Sequence, residues 1–258
     1  MRERIEAEEP TIGTRVLSPW PGVIEVLGQS ELYDYVEFVA EYGPWDLHDL
    51  ENIGRAAELA GMSSMIKVDG ENRAFIAQRA MSAGIQNLLF ADVRDVEDAQ
   101  EAIDAVRAEP QGENGVRMDR RNGYVGGYAS PGDVVDMCED AVIAIMVEKE
   151  STVENLEEIL ALGEIDMVQF GPSDYSLSID MTNDSDAEEV KQAEITTIET
   201  ALDMGVAPRA EISHPSQAEW YLDRGVRDFN LNTDVTILHN FWKEQGGALA
   251  DELADVSR

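Results

Sequence analysis

The stretch Ile143-Ala144-Ile145-Met146-Val147-Glu148, with Met167-Val168-Gln169-Phe170-Gly171-Pro172-Ser173-Asp174 after it, decides how this chain is read. Each is an apolar run that breaks at a carboxylate, and Glu148 and Asp174 stand 26 positions apart. Short runs of Ile, Val and Met read as buried strands, and this spacing leaves room for one crossover helix between them. Parallel strands joined in that way end at the same edge of their sheet. Both carboxylates then project from one rim, where two acidic oxygens suit a hard divalent cation that also holds a substrate.

The same rhythm extends in both directions. Apolar runs predict strands at 11–17, 34–40, 62–68, 85–91, 141–147, 165–170, 206–212 and 226–231. Helical patterns at 54–60, 96–103 and 151–160 alternate with them, and Ser151 and Glu154 are spaced as a capping box. Eight strands with helical crossovers predict an α/β fold, a (β/α)8 TIM barrel, as one domain over 1–258; an open doubly wound sheet is the alternative. Residues 109–130, with Gly112, Gly115, Gly123, Gly126 and Gly127, break the rhythm. A connection of that length marks a functional insertion or disorder.

Composition excludes several function classes. The 53 Asp and Glu against 19 Lys and Arg give a net charge of −34, which repels nucleic acid and anionic membranes. The acids are spread along every expected helix, a surface suited to high cytosolic salt, and the chain reads as halophilic. One cysteine, Cys138, excludes an intramolecular disulfide framework, and its helical pattern places it in the core. No signal peptide and no membrane-spanning run is visible, so the expected location is the cytoplasm.

The expected strand ends place Arg15, Glu41, Tyr42, Lys67, Asp92, Glu148, Asp174, Glu211 and residues 232–234 at one rim. The turn Gly171-Pro172-Ser173 runs into a helical start, whose unpaired N–H groups suit a carboxylate or phosphate. Lys67 ends a strand in a chain with only four lysines. It can stabilise an enolate, hold a substrate carboxylate, act as a Schiff-base nucleophile or pair with a rim acid. The three histidines, His48, His214 and His239, follow no metal-ligand spacing.

These segments resemble the HpcH/HpaI aldolase family, the class II, metal-dependent pyruvate aldolases, over residues 11–246. The resemblance rests on Val147-Glu148-Lys149, Glu154-Asn155-Leu156 and Phe170-Gly171-Pro172-Ser173-Asp174-Tyr175-Ser176, with Gly13-Thr14 and Ala40-Glu41-Tyr42-Gly43-Pro44 as further matches. It implies that Glu148 and Asp174 hold the metal, Mg²⁺ or Mn²⁺, which the sequence does not separate from Co²⁺. Substrate contacts fall on Gly171, Pro172, Ser173 and Arg15. The chain departs from the pattern elsewhere: Val39 replaces an aspartate, Tyr42 a histidine implicated in proton transfer, Lys67 an arginine, Met146 a glutamine and Asn114 an arginine. It reads as a divergent branch.

The resemblance implies cleavage of a 4-hydroxy-2-oxo acid, of the 2-keto-3-deoxy sugar acid type, to pyruvate and an aldehyde. Lys67 is the expected second cation. With the histidine absent, the base is metal-bound hydroxide or Tyr42. The partners are a small 2-oxo acid and other copies of the chain, as a trimer or hexamer with the last helix exchanged. An acyl-CoA lyase using Arg117, Arg120 and Arg121, an oxaloacetate decarboxylase, a Lys67 Schiff-base aldolase and a non-catalytic metabolite-binding barrel are the alternatives.

Overall fold

A computed structural model describes residues 1–124, 130–181, 184–185 and 187–256. Eight parallel strands form a closed barrel: β1 (Thr11–Val16), β2 (Tyr35–Val39), β3 (Ser63–Val68), β4 (Asn87–Phe90), β5 (Ile143–Val147), β6 (Met167–Phe170), β7 (Ala207–Ile212) and β8 (Asp228–Thr233). Each pairs with the next in sequence, and β8 closes on β1 through Thr11–Asp228 and Gly13–Asn230. All eight strands fall within two or three residues of their expected limits. The last runs to Thr233 rather than 231, so Asn232 and Thr233 belong to the strand and Asp234 opens the final helix, Asp234–Glu252. The buried Asp234 carboxylate accepts from Leu17 and Ser18 N–H at 3.0 and 3.2 Å and so ties this helix to the end of β1.

Strands such as β5 are buried throughout because one face lines the barrel and the other meets the helices. The outer layer joins Ile143, Ile145 and Val147 to Leu50, Ile53, Ile103 and Ile159, and it includes Cys138. Inside, Tyr35, Met65, Leu89, Ala144, Met146 and Met167 fill one part of the barrel. The Tyr35 ring occupies space that a β-carbon at Gly13 would enter at 2.1 Å, so β1 needs glycine there.

The rest of the interior is polar. Arg209 of β7 and Glu37 of β2 are wholly buried and meet across the barrel at 2.5 Å. Arg209 also donates through Nε to Gln169 Oε1 at 2.7 Å, and Asn230 donates to Glu37 at 3.0 Å. Gln169 in turn donates to Glu211 at 3.2 Å, which carries the network to the rim.

The helix starts show where local sequence decides and where it does not. Asp46 caps Leu47–Leu59 and Ser130 caps Pro131–Glu139, each with a reciprocal bond from the third residue. The expected capping box at Ser151 is absent: the helix Glu150–Glu154 starts one residue earlier, with Lys149 at its cap position. Its first N–H is taken by Ser178 Oγ at 3.0 Å, a partner 28 residues away. The expected continuous helix also stops at Asn155 and resumes as Leu156–Leu160. Residues 109–124 form turns against the helices, with a bridge between Ala108 and Asn114; Gly126 and Gly127 lie outside the described residues. Among the described residues, no helix is long and apolar enough to cross a membrane.

Removing one half of a buried ion pair leaves the other charge uncompensated, at a cost of about 3–5 kcal/mol. Arg209→Met should lose that much in urea unfolding, and Arg209→Met with Glu37→Leu should recover most of it. Equal losses in the single and double variants would show that the pair is not the interaction at stake.

Candidate active site

Glu148 follows β5 directly and is 3% exposed. Its Oε1 accepts the Asp92 N–H at 2.8 Å. Asp92 has φ +55°, a left-handed conformation that aspartate tolerates better than most residues, and this turns its N–H toward Glu148. The Asp92 carboxylate is held by Arg94 at 3.1 Å and by Lys149 at 3.3 Å. Burial pushes the Glu148 carboxyl above the usual carboxylate range; the Asp92 N–H and Lys67 oppose this, and Asp174 adds to it.

Asp174 is the third residue of the helix Pro172–Ser178 and is half-buried. The turn before it is built around Gly171, whose hypothetical β-carbon would lie 2.9 Å from Glu148 Cβ and 3.0 Å from Met146 Cε. Glycine therefore lets the two acidic segments approach. Pro172 at the first helical position has no N–H, and those of Ser173 and Asp174 have no acceptor in the helix. Pro172 and Ser173 are exposed at the rim.

Lys67 is buried at the end of β3 with Nζ 2.6 Å from Glu41 Oε2 and 5.6 Å from the Tyr42 ring centre. Burial alone would lower its pKa. The Glu41 hydrogen bond and charge, with Glu148, outweigh that and raise it. Lys67 is therefore an ammonium at neutral pH, which does not suit a Schiff-base nucleophile needing a free amine. Burial raises the Tyr42 hydroxyl as well, Lys67 opposing and Glu41 adding, so at neutral pH Tyr42 keeps its proton and can donate but not accept one.

Glu148 and Asp174 line a cavity of about 570 Å³ together with Glu41, Asp69, Asp92 and Lys149; Lys67 lies behind this lining and meets it through Glu41. Asp69 was not singled out by the sequence. It follows β3 by one residue, its Oδ1 is buried without a partner among the described residues, and burial and Glu41 raise its pKa. Arg15 stands apart from this cavity. It pairs with Glu211 and donates to Thr233 Oγ1 at 2.9 Å, on the β7–β8 side of the mouth. Glu37, Gln169, Arg209 and Asn230 were also passed over. Their signal was present, as polar residues in the middle of strands otherwise read as buried.

None of the three histidines lines the cavity. Arg117, Arg120 and Arg121 lie at the other end of the barrel, against Gln78, Ala83 and Met137. Among the described residues, no three His, Cys, Asp or Glu side chains converge as a metal-binding group.

The contact at Gly171 is open to test. Gly171→Ala must displace Glu148 or Met146, and misplacement of a catalytic group by about 1 Å can cost about 10²-fold in rate. A loss of that order in kcat/KM is expected, with only about 1–3 kcal/mol of stability lost to overpacking. Unchanged turnover would show that Glu148 is not held against this turn.

Hydroxypyruvate/pyruvate aldolase of Roseobacter denitrificans is 28% identical over 225 residues, 85% of this chain and 84% of that one. The 2-keto-3-deoxy-L-rhamnonate aldolase of Escherichia coli is 25% identical over 241 residues, 92% and 87% of the two chains. An HpcH/HpaI aldolase from Desulfitobacterium hafniense superposes with a TM-score of 0.87 at 20% identity, covering 97% of this chain and 96% of that one. A citrate lyase beta subunit from M. tuberculosis, complexed with oxaloacetate and magnesium, has a TM-score of 0.59 at 11% identity, covering 89% and 93%. The model of the HpcH/HpaI aldolase/citrate lyase family matches residues 29–240, which include both acidic segments, and the chain belongs to that family.

Proposed function

We propose that this chain is a divalent-metal-dependent carbon–carbon lyase that cleaves a 4-hydroxy-2-oxo acid to pyruvate and an aldehyde. The observation that carries this reading is the pair Glu148 and Asp174, on segments pressed together at Gly171 beside an ammonium group. The residues fit a cation. Glu148 spends one oxygen on Asp92, and its burial beside a second carboxylate favours a compensating positive charge. Magnesium sites use one or two carboxylates and keep several waters, so two acidic ligands are sufficient. Oxygen ligands favour Mg²⁺ or Mn²⁺, and the magnesium in the related citrate lyase subunit supports this choice. When bound, the cation supplies Lewis-acid stabilisation of the charge that develops on the 2-oxo oxygen.

The chain's own groups account for the remainder. The N–H groups of Ser173 and Asp174 receive the substrate carboxylate. Asp69 takes the proton of the 4-hydroxyl. The O–H electrons form the aldehyde C=O, the C3–C4 bond breaks, and its electrons pass through C3=C2 to the 2-oxo oxygen. Lys67, fixed by Glu41, faces that charge, and Tyr42 is placed to donate a hydrogen bond. Return of the proton from Asp69 to C3, directly or through water, completes pyruvate and restores the base. The wall of charged side chains suits a polyhydroxylated aldehyde portion, in line with the sugar-acid aldolases among the relatives. The acyl-CoA reading has no support here, because its arginines stand at the far end of the barrel.

Glu148→Ala and Asp174→Ala should each abolish pyruvate release with the circular dichroism unchanged. EDTA should do the same to the native chain, with recovery on adding Mg²⁺ or Mn²⁺. Asp69→Asn should lower kcat by about 10²-fold or more, as for loss of a general base. Lys67→Ala should lower kcat more than it raises KM. Metal-dependent turnover persisting in either the Glu148 or the Asp174 variant would reject the proposed site.

We propose that the chain also associates with itself through its last helix. Ile237, Leu238, Phe241, Trp242 and Leu249 on Asp234–Glu252 are all exposed, Trp242 at 66%. A soluble monomer seldom leaves such a row uncovered. Phe241→Glu with Trp242→Glu should reduce the mass found by light scattering; an unchanged mass would place the interface elsewhere.

A further inference from the structure

At the opposite end of the barrel from the acidic rim lies a second cavity of about 600 Å³. Its lining includes Ser63 and Ser64 at the start of β3, Glu58, Gly84, Arg120 and Arg121. Two adjacent arginines facing one hollow are unusual in a chain with 53 acids and 19 basic residues.

Arg120 is fixed in place. It donates to Ala83 O at 3.1 Å and pairs with the exposed Glu58 carboxylate. A β-carbon at Gly84, which has φ +99°, would lie 2.1 Å from Arg120 Nη1, so the backbone is cut back to admit the guanidinium. Arg121 is less satisfied. Its Nη2 donates to Met137 O at 3.1 Å, while Nη1 is buried with no acceptor among the described residues. No carboxylate among the described residues lies within 4.0 Å of it. Asp140 and Asp119 are close enough to feel its charge, but neither pairs with it, and Asp119 accepts from Asn122. Burial pulls the Arg121 guanidinium below the usual arginine range.

A guanidinium with no carboxylate among the described residues within 4.0 Å, next to a second guanidinium on the same hollow, favours an anion, and the guanidinium fork matches the oxygens of a phosphate. We propose that this hollow is a second ligand site, taking a phosphate-bearing small molecule with its oxygens on Arg120 and Arg121. The volume exceeds that of inorganic phosphate, and the Ser63 end of the hollow is polar, with Ser63 Oγ accepting from the Met1 ammonium at 3.2 Å. The site shares no residue with the catalytic cavity and does not depend on the proposed lyase activity.

The test is calorimetric titration of the native chain with inorganic phosphate and, separately, with glucose 6-phosphate, in EDTA at fixed ionic strength. Saturable 1:1 binding is expected for at least one, and tighter binding of the sugar phosphate would identify an organic ligand. Arg121→Gln should weaken binding at least tenfold with turnover unchanged. Glu58→Gln, which frees Arg120, should strengthen it. Lys67→Ala should leave it unaltered. No saturable binding of either probe, or equal affinity in the Arg121 variant, overturns the proposal. So does loss of binding in the Lys67 variant, which would assign the anion to the catalytic mouth.

Discussion

The contact between Arg209 and Glu37 is what the rest of this barrel is arranged around. Two unlike charges with no exposed surface are tolerable only when their remaining hydrogen-bonding capacity is met. Gln169 and Asn230 meet much of it, and Tyr35 lies within 3.4 Å of Arg209 Nη1. Those demands fix residues on β2, β6, β7 and β8. The apolar filling comes mostly from β3, β4 and β5, where Met65, Leu89, Ala144 and Met146 pack with Tyr35 and Met167. The interior is thus divided, and the candidate site lies above its apolar side. Glu148 and Lys67 leave strands whose lower parts are dry, so burial is the largest single influence on each: it raises the Glu148 carboxyl, and at Lys67 it is outweighed by Glu41 and Glu148.

The other polar strands reach the rim by a different route. Gln169 passes from Arg209 to Glu211, and Glu211 engages Arg15. Arg15 therefore ends a network that begins at the centre of the barrel. An arginine paired in this way is a rigid wall of the mouth; Lys67 is paired too, but its partner Glu41 lines the cavity and its charge is felt by Glu148.

Much of the architecture was legible because barrel strands are buried on both faces and read as largely apolar runs, a pattern that survives without knowledge of neighbours. All eight strands were visible for that reason, and so were the carboxylates at which two of them end. Features that depend on distant partners were not legible. Ser151 looked like a cap, but Ser178 supplies the first bond of that helix from across a loop. The cavity role of Asp69 depends on where the turn after β3 carries its side chain, and no local spacing encodes that. The opposite assignments of the rim and the loop arginines to two ends of the barrel likewise required the closed sheet. A polar residue inside an apolar run, such as Gln169 or Arg209, was the one overlooked signal that sequence alone could have supplied.

The close approach at Gly171 also constrains anyone who would re-engineer this protein. The candidate metal-binding carboxylate and the turn expected to meet the substrate touch through a missing side chain, with only Met146 as a yielding neighbour. Retuning either part alone would push against the other. A library that first shortens residue 146, and only then varies 171 and 173, follows the order in which space can be made available.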